Sequence, residues 1–403
     1  MYSVIVKLAW NNAFLRLRRT LLVIVMIAVS MSMMLSLQGI YDGMAINMID
    51  KTKRSDSGEI SIYNPDYRLN KVLQNSIKGA DKIKAELEAR SEVDAVVTRF
   101  SVEGLSSTAR KSSFSNIIGV DLDDEERFGR FSEFLKEGEI SFAKRGAIIG
   151  SELAKTLKIR IGSKVIFSTQ DKNGDINAIA VKIRGVVMTS NVALDGTALY
   201  IDAKRLYDFL GVDEDEATQI AIRTKSETLQ EELVKQYESL DVKNLLELSP
   251  MLKMVEEVMV IFNSITFGIV MLVVFIGILG VMYVSILDRI REFGIMRAVG
   301  MEYRLIRVQI LLEAMFVGLI GYFAGAVLGV LGLLYLQHFG LDLSAWAEGL
   351  ESFGYESVIY AHMELSYFTN TFFAIIAASL LSVFLPLRKI KTLNPIEVIK
   401  AET

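Results

Sequence analysis

Four long apolar segments dominate the pattern of hydrophobic and polar positions along this chain. They occupy residues 21–42, 258–287, 309–336 and 368–387, and charged residues border each of them. A helix needs about 20 apolar residues to cross the hydrocarbon core of a bilayer. The pattern therefore predicts four transmembrane helices. One ionisable residue, Glu313, stands near the start of the third segment.

The first apolar segment follows a short basic stretch, residues 1–20, which includes Trp10 among its apolar side chains. A basic start before an apolar run also occurs in signal peptides, but this run is longer than their usual length of about 7–15 residues. We therefore expect a retained membrane anchor. Residues 1–20 are predicted to form a cytoplasmic interfacial helix, with Trp10 at the membrane surface.

Lysine and arginine are distributed unevenly over the segments outside the spans. They are concentrated in 1–20, in 288–308 and in the tail 388–403, whereas the acidic segment 337–367 contains none. Positively charged loops remain on the cytoplasmic side of a membrane. The bias predicts a multi-pass membrane protein with cytoplasmic termini. Segments 337–367 and 43–257 are then extracytoplasmic.

The segment 43–257 mixes strand-like and helix-like patterns. The predicted strands are 59–63, 95–102, 114–120, 164–168, 179–187, 198–201 and 219–223, and the predicted helices are 82–90, 203–210 and 227–238. Residues 146–157 are predicted to form a strand, a turn and a helix capped near Ser151. The fold class is therefore an α-helical membrane protein with four transmembrane helices and a large α+β extracytoplasmic (periplasmic) domain inserted between the first two. At this length the domain has room for two lobes.

Composition excludes several kinds of chemistry. The chain has no cysteine and only two histidines, His338 and His362, whose spacing from the nearby acids matches no metal motif. The net charge of −4 gives no basic surplus for nucleic acid. The acidic run 121–126 could bind calcium, but it lacks the glycine turn of a calcium loop, and we interpret it as a solvated acidic loop. We predict no catalytic residue and no metal site.

The basic segment 288–308 combines charges with large apolar side chains. Three of these recur every three residues, which would bring them onto one face of a helix: Ile290, Phe293 and Met296. The face is interrupted by Arg297, which a groove with an acidic residue would accommodate. Gly294 and Gly300 would allow a close backbone approach or a helix end.

Three motifs, together with the order of one span, a large external domain and three spans, resemble a known family. The motifs are Arg291-Glu-Phe-Gly-Ile-Met-Arg-Ala-Val-Gly300, Leu311-Leu-Glu-Ala314, and Leu385-Pro-Leu-Arg388 followed by Asn394-Pro-Ile-Glu-Val-Ile-Lys400. They resemble the FtsX-like, MacB-type permeases of ABC transporters. The segment from Gly150 to Val165 is also similar to part of the external domain of the lipoprotein-releasing (Lol-type) and related permeases.

This resemblance implies a permease subunit that works with a separate ATPase dimer. ATP and Mg²⁺ would be bound by that partner and no cofactor by this chain, whose sequence contains no Gly-x-x-x-x-Gly-Lys-Ser/Thr motif. The residues expected to dock the ATPase are Arg291, Glu292, Phe293, Gly294, Met296, Arg297, Ala298 and Gly300. The permease would pair with a second copy or a diverged paralogue. Closure of the dimer at the cytoplasmic side would move the external domains, which is called mechanotransmission.

The resemblance favours release of lipoproteins or other amphiphiles from the outer leaflet of the inner membrane. Two alternatives remain open at this point. One is MacB-like export of a drug or peptide with a periplasmic adaptor. The other is FtsX-like signalling to a periplasmic hydrolase, without transport.

Small and flexible residues within the spans suggest two further roles. A stripe of glycines in the third span, Gly318, Gly321, Gly325 and Gly329, is predicted to pack helices closely. Methionines in and after the first span suit surfaces that contact varied apolar partners. We therefore consider Met33, Met34 and Met44 as candidates for lining a site for acyl chains, against the alternative of ordinary contacts with lipid or neighbouring helices.

Overall fold

A computed structural model of the protein describes residues 2–352 and 354–391. The predicted tail motif at 394–400 lies outside them. The chain divides into two compact units. The helical unit comprises residues up to 44, 257–342 and the chain from 358 onward, and the inserted unit comprises 45–256 and 343–357.

Sixteen α-helices occur in this part of the chain. They are α1 (Tyr2–Phe14), α2 (Leu17–Thr52), α3 (Pro65–Leu69), α4 (Ala80–Glu88), α5 (Leu122–Gly129), α6 (Ser151–Leu157), α7 (Val192–Thr197), α8 (Ala203–Leu210), α9 (Leu229–Gln236), α10 (Leu245–Leu248), α11 (Pro250–Asp288), α12 (Ile290–Ala298), α13 (Tyr303–Phe339), α14 (Ala347–Ser352), α15 (Leu365–Ser382) and α16 (Phe384–Lys391).

The strands are mostly short. They are β1 (Ile60–Tyr63), β2 (Ile77–Lys78), β3 (Val93–Ser107), β4 (Ser112–Val120), β5 (Leu135–Gly138), β6 (Gly146–Gly150), β7 (Lys164–Gln170), β8 (Ile176–Val187), β9 (Ala198–Asp202), β10 (Glu216–Ala217), β11 (Gln219–Thr224), β12 (Asp241–Asn244), β13 (Leu341–Asp342) and β14 (Val358–Ile359).

Within the residues that the structure describes, four helical stretches are long and apolar enough to cross a membrane, and they correspond to the four predicted spans. They are α2, α11, α13 and α15 with α16. The predicted fold class, four transmembrane helices with a large α+β domain inserted between the first two, is confirmed. The helices are longer than the apolar segments of the sequence: α2 continues to Thr52 and α13 begins at Tyr303. Hydrophobicity marks the part that meets lipid, whereas backbone hydrogen bonding continues into polar sequence.

The core of the helical unit lies among α2, α11, α13 and α15. Ile27, Met31 and Leu35, spaced by four residues on α2, are all at most 1% exposed and pack with Val274 and Ile278 of α11. Such i, i+4 spacing brings side chains onto one face of a helix. The opposite face of α2 exposes apolar side chains, as expected of a helix that meets lipid.

The inserted unit is built on a mixed ten-stranded sheet with the order β12-β1-β11-β3-β4-β9-β6-β8-β5. The strand β7 pairs with both β3 and β8, so six strands (β3, β4, β9, β6, β8 and β7) form a closed ring of pairings. The long β3 contributes its first half to pairing with β11 and its second half to pairing with β4. The two largest apolar clusters of this unit lie about the ring and about β1, β11 and β12.

Every strand and helix predicted within 43–257 occurs, with ends shifted by a few residues, and α8 has the predicted bounds. The predicted cap at Ser151 is wrong. Ser151 is the first residue of α6, and Gly150 occupies the cap position without a side-chain bond. A Cβ atom at Gly150 would lie 2.3 Å from the backbone oxygen of Asp195, so this close approach requires glycine.

The interpretation of the acidic run as a solvated loop is also wrong, because it forms the start of α5. Asp121 caps the helix by accepting hydrogen bonds from the amides of Asp123 and Asp124 at 2.9 and 3.1 Å. Glu125 is only 1% exposed and binds the buried Arg99 through two bonds of 2.5 and 2.7 Å. Carboxylates are favoured in the first turn of a helix, and a buried one needs a paired cation.

Candidate functional site

The basic segment between the second and third spans contains the helix α12, and the structure reverses the face predicted to be its contact surface. Phe293 and Gly294 are buried, and Phe293 lies in the core with Ile306 and Ile310 of α13. Met296 is half-buried and packs against the same core. The apolar face therefore anchors the helix within its own chain, so Phe293 and Gly294 are not on the surface. The spacing of apolar residues predicts that a helix has an apolar face. It does not reveal whether that face packs within its own chain or binds a partner.

A buried ion pair holds the start of α12 to the third span. Arg289 is 7% exposed and Glu313 is 2% exposed. One terminal nitrogen of Arg289 donates to both carboxylate oxygens of Glu313 at 3.2 Å, and its Nε donates to Glu292 at 3.0 Å. The amide of Gln309 donates to the Glu313 carboxylate at 3.2 Å. The Arg289 guanidinium also lies 5.2 Å from the ring centre of Phe293. Each buried charge is thus compensated.

In the sequence Glu313 stands alone as an ionisable residue of its span, and its pairing with Arg289 is not among the predictions. The pair could have been predicted from an arginine at the end of one predicted span and an acidic residue one helical turn inside the next span. Both lie at similar depth when the spans are antiparallel neighbours.

A second, exposed charge cluster joins the start of α2 to the end of α11. Arg16 and Arg19 both donate to the carboxylate of Asp288, the latter at 2.7 Å. Exposed pairs of this kind contribute at most about 1 kcal/mol each. A cavity of about 220 Å³ lies beside them, with Arg289 and Glu313 in its wall.

The outward side of α12 carries a stripe of exposed residues at helical spacing. Arg291, Ile295, Ala298 and Val299 are exposed, with Ile295 at 48% and Val299 at 83%. We call these four residues the outer stripe. Of the other residues predicted to dock a partner, Glu292 and Gly300 are exposed and Arg297 is half-buried. Ile295 and Val299 were missed by the sequence analysis, although their i, i+4 spacing would have indicated them.

Gly300 ends α12 in the way the sequence suggested. Its φ of +96° is a left-handed conformation that favours glycine. The amides of Gly300 and Met301 donate to the oxygens of Arg297 and Met296 at 3.1 and 2.9 Å. This paired arrangement is the Schellman motif, which closes the helix and fixes the direction of the chain into α13.

The glycine stripe of α13 faces neighbouring spans of the same chain. A Cβ atom at Gly321 or Gly325 would lie 2.8 Å from Ile27 or 2.9 Å from Met31 of α2, and one at Gly329 would lie 2.5 Å from Leu35. Gly318 faces Ser379 of α15 instead. The stripe therefore lets α13 approach two spans closely.

The three candidate methionines differ in exposure. Met33 is 63% exposed, Met44 is half-buried, and Met34 is only 2% exposed. Met34 belongs to the packed interior, so it cannot line a site that opens to lipid. The other two stay candidates.

The remaining chemistry-bearing residues form no metal site in the residues that the structure describes. His338 is exposed at the end of α13 and lies against Phe339. The backbone amide of His362 donates to the oxygen of Gly39 at 2.8 Å.

Comparison with known proteins identifies the family. The family profile of the MacB-like periplasmic core domain matches residues 20–240, and that of the FtsX-like permease C-terminal region matches residues 264–395. The chain therefore belongs to the MacB-type, FtsX-like family of ABC transporter permeases. The second match begins within α11 and extends past α16, so it includes the buried pair and the outer stripe.

Individual relatives are distant. The chain is 24% identical to the macrolide export ATP-binding/permease protein MacB of Wolinella succinogenes, over 98% of this chain and 60% of that protein. It is 22% identical to the lipoprotein-releasing system transmembrane protein LolE of Haemophilus influenzae, over 67% of this chain and 66% of that protein. The chain thus spans well under the full length of the MacB relative. The solved extracellular domain of the ABC-type transporter YknZ from Gram-positive bacteria matches 46% of this chain and 98% of its own, with 15% identity and a TM-score of 0.32.

Proposed function

We propose that this permease works by mechanotransmission and releases lipoproteins or other amphiphiles from the outer leaflet of the bacterial inner membrane. A separate cytoplasmic ATPase dimer, which binds ATP and Mg²⁺, would contact the outer stripe of α12. The movement would pass through the spans to the inserted domain. The subunit would act as a pair with a second copy or a paralogue.

The observation that carries the proposal is the attachment of α12 to its own chain. Phe293 is fully buried, and the Arg289–Glu313 pair joins the start of the helix to α13. A helix fixed at a buried charge pair moves with the span that holds the other charge. A push on the exposed Ile295 and Val299 would therefore displace α13, rather than bend a loose loop.

The same proposal sets the orientation. The arginines beside α12 and at the start of α2 are consistent with a cytoplasmic location, and the acidic segment 337–367 with an external one. The exposed apolar side chains of the outer stripe would then face the cytoplasm, where a protein partner could cover them.

The transported substrate is proposed from two relatives whose names indicate different substrates. Similarity to the lipoprotein-releasing protein LolE supports an amphiphile, and Met33 and Met44 would then contact its acyl chains. Similarity to MacB over nearly the whole chain supports a second candidate, export of a drug with a periplasmic adaptor. Signalling to a periplasmic hydrolase is the third outcome of the experiment below.

The test is affinity purification of the detergent-extracted protein from its native membrane, with mass spectrometry of the retained proteins. We expect an ABC ATPase together with acylated lipoproteins. Val299→Asp and Ile295→Asp should lose the ATPase, because a carboxylate would have to be desolvated in the contact. Val234→Asp is the matched control, since Val234 is a 47% exposed valine on α9 of the inserted domain.

Each outcome has a distinct meaning. An adaptor retained with the ATPase would replace lipoprotein release by export, and a cell-wall hydrolase would replace it by signalling. Retention of the ATPase by both outer-stripe variants would refute the docking surface. Absence of any ATPase from the wild-type sample would refute the mechanism as a whole.

A further inference from the structure

The inserted unit contains a polar cleft of about 420 Å³. Residues from several different elements surround it, among them Asp56 and Ser57 of the π-helical turn after α2, Tyr63 of β1, Asn116 of β4 and Gln219 of β11. A cavity of this size has room for a small organic molecule. Nothing in the proposed transport function assigns it a role.

The charged residues around the cleft form salt bridges with one exception. Arg68 pairs with Asp241 at 3.2 Å, and Lys71 pairs with Glu103 at 2.6 Å. Arg99, the cation nearest to Asp56, is already held by Glu125 through two bonds. Among the residues that the structure describes, no cation lies within salt-bridge distance of the Asp56 carboxylate. The Asp56 carboxylate is therefore stabilised by the charges of Arg99 and Lys71 without forming a salt bridge with either of them.

Two of the donors near Asp56 reach its backbone oxygen, and the side chain of Gln219 also bonds to its carboxylate. Arg99 donates to the backbone oxygen of Asp56, and Gln219 donates to the same oxygen at 3.4 Å. Gln219 also donates to the hydroxyl of Ser61 at 3.1 Å. The side chain of Asp56 remains a hydrogen-bond acceptor at the wall of the cleft.

A second acceptor in the wall lacks a partner. The side-chain oxygen Oδ1 of Asn116 is buried and receives no hydrogen bond from the protein. Leaving a buried acceptor unsatisfied costs about 1–3 kcal/mol, so a bound donor would recover this energy. Asp56 and Asn116 both present acceptors, and Asp56 is charged. Their complement is a positively charged hydrogen-bond donor.

We propose that this cleft binds an organic ammonium ion, whose nitrogen pairs with the Asp56 carboxylate and donates a hydrogen bond to Oδ1 of Asn116. The aromatic rings of Tyr63 and Tyr67 in the wall suit the apolar body and the charge of such a ligand. A metal ion is a poorer fit, because hard cations need several oxygen ligands close together, and the cleft supplies one carboxylate in a much larger space.

The electrostatics of Asp56 agree with this assignment. Burial raises the pKa of Asp56, while the charges of Arg99 and Lys71 and a bond from Gln219 lower it only in part. The cleft thus compensates the ionised carboxylate incompletely. Burial also raises the pKa of the nearby Tyr63, so its hydroxyl stays neutral and adds no competing charge at neutral pH.

The experiment measures binding of benzylamine and its neutral isostere, benzyl alcohol, to the purified full chain. Equilibrium dialysis against protein in nanodiscs, with empty nanodiscs subtracted, gives both affinities without any ATPase. We expect benzylamine to bind at least tenfold more tightly than the alcohol, since one charge-assisted bond accounts for about that ratio. Asp56→Asn should remove the preference, and Asp208→Asn, on the exposed side of α8, should retain it.

A second variant, which is expected to increase the affinity for benzylamine, keeps the test decisive if Asp56→Asn fails to fold. Asn116→Asp adds a second carboxylate and should tighten benzylamine binding without tightening benzyl alcohol binding. Equal affinity for the two probes, or benzylamine binding unchanged in both cleft variants, would overturn the proposal. These readouts do not depend on the proposed transport, so the two proposals fail separately.

A competition arm distinguishes the sources of the ammonium group. Displacement of benzylamine by a short peptide with a free amino terminus, but not by its acetylated twin, would identify a peptide amine. Displacement by neither peptide would identify a small soluble amine.

Discussion

The Arg289–Glu313 pair joins the outer stripe to the membrane-spanning part of the chain. Removing two charges from water costs several kcal/mol per ion, which the mutual attraction and extra hydrogen bonds must offset. Here Gln309 and Glu292 supply those extra bonds. Such a pair stabilises one arrangement of helices only while both partners are present.

Glu313→Gln should therefore destabilise the protein strongly. The change leaves the Arg289 cation, 7% exposed, without its main counter-charge, and breaking a buried pair costs about 3–5 kcal/mol. The melting temperature of the purified protein in detergent measures the effect. Arg19→Gln, which removes one exposed partner of Asp288, should change stability by less than about 1 kcal/mol.

A double variant separates charge from packing at the same position. Arg289→Met with Glu313→Leu replaces both charges by apolar groups and should recover most of the loss. If the double variant is as unstable as Glu313→Gln, the ion pair is not the origin of the effect.

Asp195 gives the inserted domain a pH dependence of unusual sign. It is 3% exposed and accepts hydrogen bonds from the amide and hydroxyl of Thr189 at 2.8–3.0 Å. Burial outweighs these bonds and raises its pKa from 3.8 to about 6. The folded state then binds the proton more tightly than the unfolded state. Stability contributed by this group rises as the pH falls through 6 and levels off below the unfolded value.

We expect the segment 189–197 to become more protected on acidification from pH 7.5 to pH 4.5. The gain is at most roughly 3 kcal/mol, from a shift of about two pKa units. Hydrogen-exchange mass spectrometry, corrected for the intrinsic pH dependence of exchange, measures it. Asp195→Asn should abolish the gain and Asp208→Asn should retain it. Protection that decreases on acidification in the wild type would contradict the assigned direction.

At the scale of elements, the contact between α13 and α2 depends on the absence of side chains at three glycines. Gly321, Gly325 and Gly329 recur every four residues and meet side chains of α2 with the same spacing. Since two regular helices are in contact along this line, an added methyl group cannot be accommodated by a small shift of the neighbouring atoms.

Gly325→Ala is the sharpest test of this contact. Its Cβ atom would lie 2.9 Å from Cβ of Met31 and 3.1 Å from Cα of Ala28, and backbone atoms cannot rotate away. Overpacking of this kind costs about 1–3 kcal/mol, so the melting temperature should fall. Gly280→Ala on α11 is the matched control, because nothing lies within 4 Å of its added atom. Alanine there should be neutral or slightly stabilising through its higher helix propensity. Equal effects of the two substitutions would exclude the close contact as their cause.

The bounds of secondary-structure elements were predictable where a single local sequence pattern determines them. The bounds of α8 follow from an amphipathic run with Asp202 as its cap, and the end of α12 follows from Gly300. The face of α12 was not predictable, because Phe293 and Ile295 are both apolar and only the position of α13 decides which is buried. The interpretation of the acidic run as a solvated loop was wrong for a similar reason. Its residue Glu125 is buried against Arg99, which lies 26 positions earlier in the chain.

At the scale of the whole molecule, the spans could be derived from composition, whereas the strand order could not. Lipid imposes a pattern of about 20 apolar residues that is readable in one segment at a time. Strand pairing joins distant segments, such as β1 with β11 and β4 with β9. The cleft beside Asp56 exists only after these pairings bring β1, β4 and β11 together. The two acceptors in its wall, Asp56 and Asn116, have no signature in the sequence.

The proposed orientation makes a prediction for the molecule as a whole, and the absence of cysteine from the chain makes it easy to test. Single cysteines at Arg304, Asp208 and His338, all exposed, would report on three segments. In spheroplasts, a membrane-impermeant maleimide should label Asp208→Cys and His338→Cys but not Arg304→Cys, because basic segments stay in the cytoplasm. Inside-out vesicles should give the reverse pattern. Labelling of Arg304→Cys in spheroplasts would place the outer stripe of α12 outside the cell, where no ATPase could reach it.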